Sequence, residues 1–191
     1  MREPSEWGEY MEPRERLLKL LRERSLKKGH FKLSSGGTSS YYVDCKMTTL
    51  SPEGLNLVGR LIVSRLKELG VRYVGGMTLG ADPIASAAAA MSWDEGYPVE
   101  AFIVRKKVKG HGTGKQIEGP LPEGAEVVVV EDVTTTGRSA LEAADAVEAH
   151  GCRIAEVITL LDRMEGGKEN IEARGYKVFA VFNRDELLGA G

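Results

Sequence analysis

The spacing of hydrophobic and polar residues divides the chain into helical and extended stretches. Leucines recur at helical spacing among charged residues over 14–28, and Gly29 follows as a stop signal, so the pattern predicts an amphipathic helix. A second helix is predicted to begin at Pro52 and to end at Gly70. Beyond it, strands are predicted at 71–75, 99–104, 127–130, 154–161 and 178–182, and helices at 83–93 and 138–150.

This alternation of strands and helices predicts the fold class. Several of the predicted strands are apolar on both faces, which is typical of a parallel sheet covered by helices on both sides. We therefore expect an α/β fold with a mainly parallel sheet flanked by helices. The chain has 191 residues, a usual length for one domain, so a single domain over 1–191 is predicted.

Two stretches depart from the alternation. Residues 31–46 are rich in Ser, Gly and Thr and contain the letters YYVD near their end, which predicts a polar loop that runs into a short strand. About 20 residues between Val104 and Glu126 show little helical or strand pattern, and long loops of this kind in compact domains are often functional. We expect a mobile lid in this connection, over 105–119.

Composition and charge exclude several classes of protein. Hydrophobic residues make up 42% of the chain and charged residues 28%, which excludes disordered and fibrous proteins. The net charge of −2 disfavours a surface that binds nucleic-acid phosphates, so no nucleic-acid partner is expected. No apolar run approaches the ~18 residues of a membrane span, so no membrane partner is expected. The charged opening residues and only two cysteines, Cys45 and Cys152, predict a cytoplasmic location.

The strongest chemical signal is the string VVVVEDVTTTGRS over 127–139. A buried strand delivers Glu131 and Asp132 to its carboxyl end, which is where ligands bind in open α/β sheets. The turn that follows leads into a helix, whose free backbone N–H groups and neighbouring hydroxyls can hold a phosphate. The two carboxylates repel such a phosphate, so they suit sugar hydroxyls or Mg²⁺. The string therefore predicts a site for a phosphorylated sugar.

Two other interpretations of this string stay open. The Thr and Ser residues could merely cap the helix while both acids lie in solvent. The string could also be a Walker B strand, which needs a G-x-x-x-x-G-K-[ST] loop as its partner. The nearest approach to that loop, over 110–116, has misplaced glycines and carries Gln116 where Ser or Thr belongs.

The same string resembles the phosphoribosyl pyrophosphate (PRPP) signature of the type I phosphoribosyltransferase family, in which four apolar residues and two acids precede a Thr- and Gly-rich loop. The resemblance implies the type I phosphoribosyltransferase fold, with a small hood from about 1–50 on a core from about 51–191. It also implies that Glu131 and Asp132 bind the ribose hydroxyls, that Asp132 is catalytic and that 134–139 hold the 5-phosphate. The PRPP contacts implied in this string are Glu131, Asp132, Val133, Thr134, Thr135, Thr136, Gly137, Arg138 and Ser139.

The predicted lid concentrates positive charge. Its segment RKKVKGHGTGK contains five Lys and Arg residues and no acid, in a chain whose net charge is −2, so it predicts a ligand with several negative charges. A solvated charge run is one alternative, and nucleic-acid contact is another, although no aromatic residues interleave to stack on bases. Beside a sugar-phosphate site, such a loop can close over a pyrophosphate and neutralise it as it leaves.

The pattern R-K-x-x-K-x-H-G in this segment resembles the catalytic loop of the orotate phosphoribosyltransferase family. By this resemblance Arg105, Lys106, Lys109 and His111 contact PRPP, mainly at its pyrophosphate. Lys109 and His111 are implied to be catalytic. The family shares its active sites across a homodimer, so a homodimer is expected.

Three further segments resemble the same family. Residues 31–46 are similar to its S-G-x-x-S-x-Y-[YF] segment, although Ser34 stands where many longer members have a lysine. The loop TLGADPIA resembles one that offers backbone amides to the pyrophosphate, with Asp82 reaching metal-bound water. The segment LDRMEGG matches an L-D-R motif whose arginine, here Arg163, meets the carboxylate of orotate, and Thr135 is a further orotate contact. Asp82 could also be an ordinary helix start, and Arg163 a strand-end salt bridge.

The resemblance implies a Mg²⁺-dependent enzyme of pyrimidine biosynthesis. It would transfer ribose 5-phosphate from PRPP to orotate, giving orotidine 5-phosphate and pyrophosphate, with Mg²⁺ held mainly through PRPP and by no direct side-chain ligand. Two alternatives remain: another type I phosphoribosyltransferase that acts on a purine or uracil, and a PRPP-binding regulator.

Overall fold

The computed structural model describes residues 12–32, 38–106 and 116–189. Within them the strands are β1 (Leu26–Lys32), β2 (Thr38–Val43), β3 (Tyr73–Met77), β4 (Glu100–Val104), β5 (Ile117–Glu118), β6 (Glu126–Thr134), β7 (Arg153–Asp162) and β8 (Val178–Asn183). The first two form an antiparallel hairpin, and the other six form one sheet in the order β5-β4-β3-β6-β7-β8.

Neighbouring strands of the large sheet are parallel except at the β4 edge, where β5 pairs antiparallel. This confirms the predicted mainly parallel sheet. Among the parallel strands, β3 comes first in the chain, with β4 on one side and β6 on the other. The strand order therefore reverses between β3 and β6, and ligands bind outside the carboxyl ends of strands at such a reversal.

Helices cover both faces of the sheet, as predicted. They are α1 (Pro13–Leu20), α2 (Lys46–Thr49), α3 (Pro52–Leu69), α4 (Ala81–Asp94), α5 (Arg138–Ala149), α6 (Gly167–Ala173) and α7 (Arg184–Leu188). Alternate residues of β6 point to opposite faces. Val128 and Val130 pack in one cluster with α3 and α4, whereas Val127 and Val129 pack with α5 and α6, which is why this strand is apolar on both sides.

The predicted start and stop of α3 are confirmed. The Ser51 hydroxyl caps the helix by accepting the N–H of Gly54, and Pro52 follows at the first helical position. Gly70 ends the helix in the left-handed conformation, with φ of 72°. None of the helices in the described residues is long and apolar enough to cross a membrane.

The predicted helix over 14–28 is wrong in its second half. Helix α1 ends at Leu20, a π-helical turn follows at Leu21–Ser25, and the chain is extended from Leu26 onward. The reason is strand pairing, because Leu26 lies opposite Val43 in the β1–β2 hairpin. The spacing of leucines within 14–28 carries no information about this pairing, because the partner strand lies more than ten residues further along the chain.

The amino-terminal segment is anchored by the carboxyl-terminal one. Arg14 donates to the Val181 carbonyl at 2.9 Å and stacks over the Phe182 ring, with the guanidinium carbon 4.7 Å from the ring centroid. Arg22 donates to the Leu187 carbonyl at 3.1 Å. The segment after Gly167, which carries none of the quoted family motifs, therefore holds α1 in place.

Other boundaries differ from the prediction. Strand β6 extends to Thr134, so both acids lie within it, and β3 begins two residues later than predicted. The connection predicted to lack a pattern contains β5, which pairs with β4 at the sheet edge. The predicted lid over 105–119 therefore ends in the sheet. Helices α6 and α7 were not predicted; α7 begins with a capping box between Asn183 and Glu186.

Candidate active site

The candidate site lies where the strand order reverses. Gly80 follows β3 and begins α4, and Glu131 and Asp132 lie near the end of β6. Glu131 and Asp132 are both buried, with 7% and 8% of their surfaces exposed. The alternative in which both acids lie in solvent is therefore wrong. Burying two adjacent carboxyl groups is costly, and strongly perturbed groups of this kind are typical of functional sites.

A small cavity of about 110 Å³ follows β6 and is shaped by the turn into α5. Gly137 turns the chain in the left-handed conformation, with φ of 77°, and α5 begins at the next residue. The N–H groups of the first helical turn have no partner within a helix, so they are available to an anion. The residues that line the cavity are Glu131, Val133, Thr134, Thr135, Thr136, Gly137, Arg138 and Ser139.

Two predicted phosphate contacts have side chains engaged elsewhere. The buried Thr134 hydroxyl donates to the Thr159 hydroxyl at 2.9 Å, inside the sheet. The Arg138 guanidinium lies on the exposed face of α5 and donates to Glu142 at 2.7 Å. Thr134 and Arg138 therefore line the cavity mainly with backbone atoms. No side-chain hydrogen bond is found for Thr135, Thr136 or Ser139 within the described residues, so their hydroxyls are available to a ligand.

A brace behind the turn was not found from the sequence. An added Cβ at Gly167 would lie 2.6 Å from the Thr135 carbonyl oxygen and 2.9 Å from the Gly137 nitrogen, so only glycine fits there. Asn170 donates to the Thr136 carbonyl at 3.1 Å. Helix α6 thus supports the phosphate turn from outside. The sequence signal that could have predicted this contact is the pair of glycines at the end of LDRMEGG, because glycine is favoured where two backbones approach closely.

Glu131 lines the small cavity as a neutral acid at pH 7. Burial first, and then the negative charge of Asp132, raise its pKa to about 9. One of its oxygens, Oε2, is buried without a hydrogen-bond partner. A protonated Glu131 carries no negative charge that would repel a phosphate in the small cavity.

Replacing Glu131 by Gln is expected to stabilise the unliganded protein by an amount that grows with pH. The pKa of Glu131 is higher in the folded state, so between about 4.5 and 9 the unfolded state binds fewer protons and the wild type loses stability as pH rises. Gln keeps the shape and does not ionise. The difference in unfolding free energy should widen by about 1 kcal/mol per pH unit. Urea unfolding at pH 6, 7 and 8 measures it, and parallel curves for the two proteins would contradict the argument.

Asp132 is held at a junction of three segments. Its Oδ1 accepts the N–H of Val133 at 2.9 Å, and its Oδ2 lies 3.6 Å from the Lys46 ammonium. Gly80 packs directly on the carboxylate, because an added Cβ there would lie 2.2 Å from Oδ1. The carboxylate therefore touches the end of β6, the start of α4 and the start of α2 at once.

A second cavity of about 480 Å³ is lined in part by Lys106, whose charge acts on Glu131. Its lining residues come from the turn between β3 and α4, from β4 and from the two ends of the predicted lid: Thr78, Asp82, Ile103, Arg105, Lys106 and Glu118. The Thr78 hydroxyl donates to Asp82 Oδ2 at 2.7 Å, while Asp82 Oδ1 is buried without a partner. This cavity combines two cationic side chains with an acid that can accept a further hydrogen bond.

The two ends of the predicted lid are joined by hydrogen bonds. The Arg105 N–H donates to the Gln116 carbonyl at 2.9 Å, and the Gln116 side chain donates back to the Arg105 carbonyl at 3.2 Å. The Arg105 guanidinium donates to Glu118 at 3.1 Å. Lys106 is exposed beside the second cavity. The predicted catalytic residues Lys109 and His111 lie outside the described residues, as does Ser34.

Arg163 follows β7 and is almost fully buried between core and hood. Its Nε donates to Glu165 at 2.9 Å, and its guanidinium carbon lies 4.9 Å from the centroid of the Tyr41 ring. Its backbone N–H donates to the Thr134 carbonyl at 2.9 Å. Tyr41 is therefore a packed side chain, whereas Tyr42 is 43% exposed on the hairpin. A planar cation sits beside the sugar-phosphate site.

Comparison with known proteins decides the family. A sequence profile described as a phosphoribosyl transferase domain matches residues 73–183. The orotate phosphoribosyltransferase of Aquifex aeolicus is 48% identical over 178 residues, which cover 92% of this chain and 97% of that protein. The chain belongs to the orotate phosphoribosyltransferase family.

Solved structures of this family agree with the fold. The Mycobacterium tuberculosis H37Rv orotate phosphoribosyltransferase in complex with Fe(III) dicitrate superposes with a TM-score of 0.83 at 41% identity, covering 92% of this chain and 99% of that one. The same enzyme in complex with PRPP gives a TM-score of 0.75 at 35% identity, covering 92% and 91%. The predicted type I phosphoribosyltransferase fold is thus confirmed for this member of the orotate phosphoribosyltransferase family.

Proposed function

We propose that the protein transfers ribose 5-phosphate from PRPP to orotate, forming orotidine 5-phosphate and pyrophosphate. The observation that carries the proposal is the surroundings of Asp132. Glu131 of the buried acid pair lines a small cavity that suits one phosphate group, and Lys106, whose charge acts on Glu131, lines a larger cavity together with Arg105. A phosphate cradle, an acid pair and a cationic cavity are the partners that the 5-phosphate, the ribose hydroxyls and the pyrophosphate of PRPP require.

Each part of PRPP has a proposed partner. The 5-phosphate binds the turn at 134–139 and the first N–H groups of α5, where the helix dipole favours an anion. The ribose hydroxyls bind Asp132 and Glu131. The pyrophosphate enters the larger cavity, where Arg105, Lys106, Lys109 and His111 would offset its negative charge.

The chemistry requires the C–O bond at the anomeric carbon to break as orotate nitrogen approaches. Holding both reactants aligned and stabilising the departing charge are therefore the main tasks of this chain. Lys109 and His111 are proposed to act at the departing oxygens, with protonated His111 as proton donor. No covalent nucleophile is needed.

Mg²⁺ is the proposed cofactor, and it would be held mainly through oxygens of PRPP. The residues present fit such an ion, because the buried, unpartnered oxygen of Asp82 can accept a hydrogen bond from a water that the ion carries. When bound, Mg²⁺ would neutralise negative charge on the pyrophosphate.

Arg163 supports orotate as the acceptor. A guanidinium can meet a carboxylate through two parallel hydrogen bonds, and a neutral base offers no such partner. In this structure the guanidinium is held by Glu165 at 2.9 Å, which an incoming carboxylate would replace or join. The mycobacterial relative solved with PRPP supports the other substrate, since it is 35% identical over most of the chain.

Changing Arg163 to Met is expected to raise KM for orotate by about 10- to 100-fold, because one charge-assisted pair contributes about 1.5–3 kcal/mol. KM for PRPP should change much less. Steady-state kinetics with each substrate varied in turn measures the split. Arg60→Met, which removes an exposed arginine of α3 that pairs with Glu95 at 3.8 Å, is the control. Equal increases in both KM values would contradict the assignment of Arg163 to orotate.

A homodimer is proposed, as in the family resemblance. Large apolar side chains are exposed just after α2 and on α4, including Leu50 at 67% and Trp93 at 76%, and exposed apolar groups of this size often mark interfaces. A cytoplasmic location and the absence of nucleic-acid and membrane partners stay proposals that follow from composition and charge.

An assay with a panel of bases tests the proposed function. Protein, PRPP and Mg²⁺ are mixed with orotate, and the loss of orotate absorbance is followed. Turnover with orotate supports the proposal. Turnover only with adenine, hypoxanthine or uracil would support a phosphoribosyltransferase of different specificity, and PRPP binding without any turnover would support a regulator.

A further inference from the structure

We propose that Lys46 is a positioning residue for the transfer, fixing the Asp132 carboxylate from the hood side of the site. The inference rests on the proposed function, since it assigns a role in PRPP binding to a residue at the end of segment 31–46 for which the family resemblance implied no role. Its basis is a chain of contacts from Asp44 through Lys46 to Asp132, which links the hood to the end of β6.

The Lys46 side chain is aimed by Asp44. Its ammonium lies 2.8 Å from Asp44 Oδ1, and the same oxygen accepts the Lys46 backbone N–H at 3.1 Å. One carboxylate oxygen thus holds both ends of the residue. From that position the ammonium lies 3.6 Å from Asp132 Oδ2, whereas the Val133 N–H binds the other oxygen, Oδ1.

The backbone beneath Lys46 is fixed by buried groups. Cys45 precedes it and is fully buried, and the backbone carbonyl of Cys45 accepts the N–H groups of Thr48 and Thr49 at 2.9 and 2.8 Å. The Thr48 hydroxyl is hydrogen-bonded to the buried Ser25 hydroxyl at 2.7 Å. The ammonium is therefore presented from a rigid base rather than from a free loop.

Lys46 completes the support of Asp132 in the described structure. Val133 fixes one carboxylate oxygen, Gly80 packs on that side, and Lys46 faces the other oxygen. An acid that accepts hydrogen bonds from ribose hydroxyls has to be correctly oriented. Displacements of about 1 Å in an active site can reduce rates by about 10²-fold.

A purely structural salt bridge would behave differently. The Lys46 side chain is 39% exposed, and exposed ion pairs contribute about 0–1 kcal/mol to stability. Lys67 offers a matched control, because its side chain is 37% exposed and pairs with Glu95 at 2.6 Å on the surface of the core. If Lys46 only stabilised the fold, the two lysines would be equivalent.

The first test compares Lys46→Met, Lys46→Arg and Lys67→Met. Lys46→Met is expected to lower kcat/KM for PRPP about tenfold, and Lys46→Arg to recover most of the loss. Lys67→Met should match the wild type. Identical kinetic constants for the two Met variants would overturn the inference.

The second test is PRPP binding by calorimetry, which needs no turnover. Lys46→Met is expected to weaken binding about tenfold in the wild-type background but little in an Asp132→Asn background, because its effect passes through Asp132. An equal loss in both backgrounds would overturn the inference, since Lys46 would then act without Asp132. If the wild type binds PRPP but never consumes orotate, the proposed function fails, while the binding cycle still decides the role of Lys46.

Discussion

Replacing Gly80 by Ala is expected to lower kcat/KM for PRPP by about 10²-fold, a loss typical of displacing a reacting group by about 1 Å. The added Cβ would lie 2.2 Å from Oδ1 and 2.6 Å from Cγ of Asp132, so the carboxylate or the β3–α4 turn has to move. Backbone strain plays no part, because Gly80 has a φ of −64°, which alanine adopts readily. Steady-state kinetics with PRPP varied at saturating orotate measures the effect.

Gly59→Ala provides the contrast. Its Cβ would lie 2.8 Å from the Ala87 carbonyl oxygen, in the contact between α3 and α4 and away from the acids. That substitution should cost about 1–3 kcal/mol of stability and leave the kinetic constants of the folded enzyme unchanged. If Gly80→Ala lost stability while its kcat/KM stayed at the wild-type value, Gly80 would be a packing residue and the junction at Asp132 would tolerate displacement.

Asp132→Asn is the second change with a large expected effect, lowering kcat/KM for PRPP by about 10²-fold or more. The substitution keeps the shape and removes the negative charge, so each ribose hydroxyl loses a charge-assisted acceptor contributing about 1.5–3 kcal/mol. Glu131→Gln should cost less than about tenfold, because burial raises the pKa of Glu131 to about 9 and Gln resembles the protonated acid.

Comparing Asp132→Asn with Glu131→Gln shows which of the two acids contributes more to kcat/KM for PRPP. Asp94→Asn, at the exposed end of α4, serves as the charge control and should match the wild type. Kinetic constants are best measured at pH 7, where Glu131 is protonated. A larger loss in Glu131→Gln than in Asp132→Asn would contradict the roles assigned to the two acids.

The sequence was most informative where local chemistry and fold coincide. An apolar run that ends in two acids and a Thr- and Gly-rich turn can occupy few places other than a central strand and the helix after it. The parallel sheet was predicted from the alternation of strands and helices, and this string predicted the buried strand β6 and the turn into α5. The family followed from the same string together with the basic lid.

Other parts depended on contacts between distant segments, which spacing along the chain does not encode. The extended stretch from Leu26 exists because of its pairing with β2. Gly167 matters because it lies against the phosphate turn some 30 residues earlier. Thr134 belongs to the predicted phosphate turn, yet its hydroxyl is bonded to Thr159 in the neighbouring strand. Lys46 lies 86 positions before the acid that it faces.

The acidic and the basic side chains of the candidate site occupy different parts of it. Within the described residues, the acid pair lies at the end of β6, and Arg105 and Lys106 border the larger cavity beside it. A chain of net charge −2 can therefore present a local cationic surface to a pyrophosphate while keeping an acid for the sugar. This separation suits a substrate that carries its charge at two ends and hydroxyls between them.

The most direct test of the central claim is a ³¹P NMR time course of wild-type protein with PRPP, Mg²⁺ and orotate. The proposed function predicts that the PRPP signals give way to pyrophosphate and one new phosphomonoester, orotidine 5-phosphate, in equal amounts, and that both products require orotate. PRPP that stays intact in the complete mixture, or that decays to ribose 5-phosphate at the same rate without orotate, would contradict it.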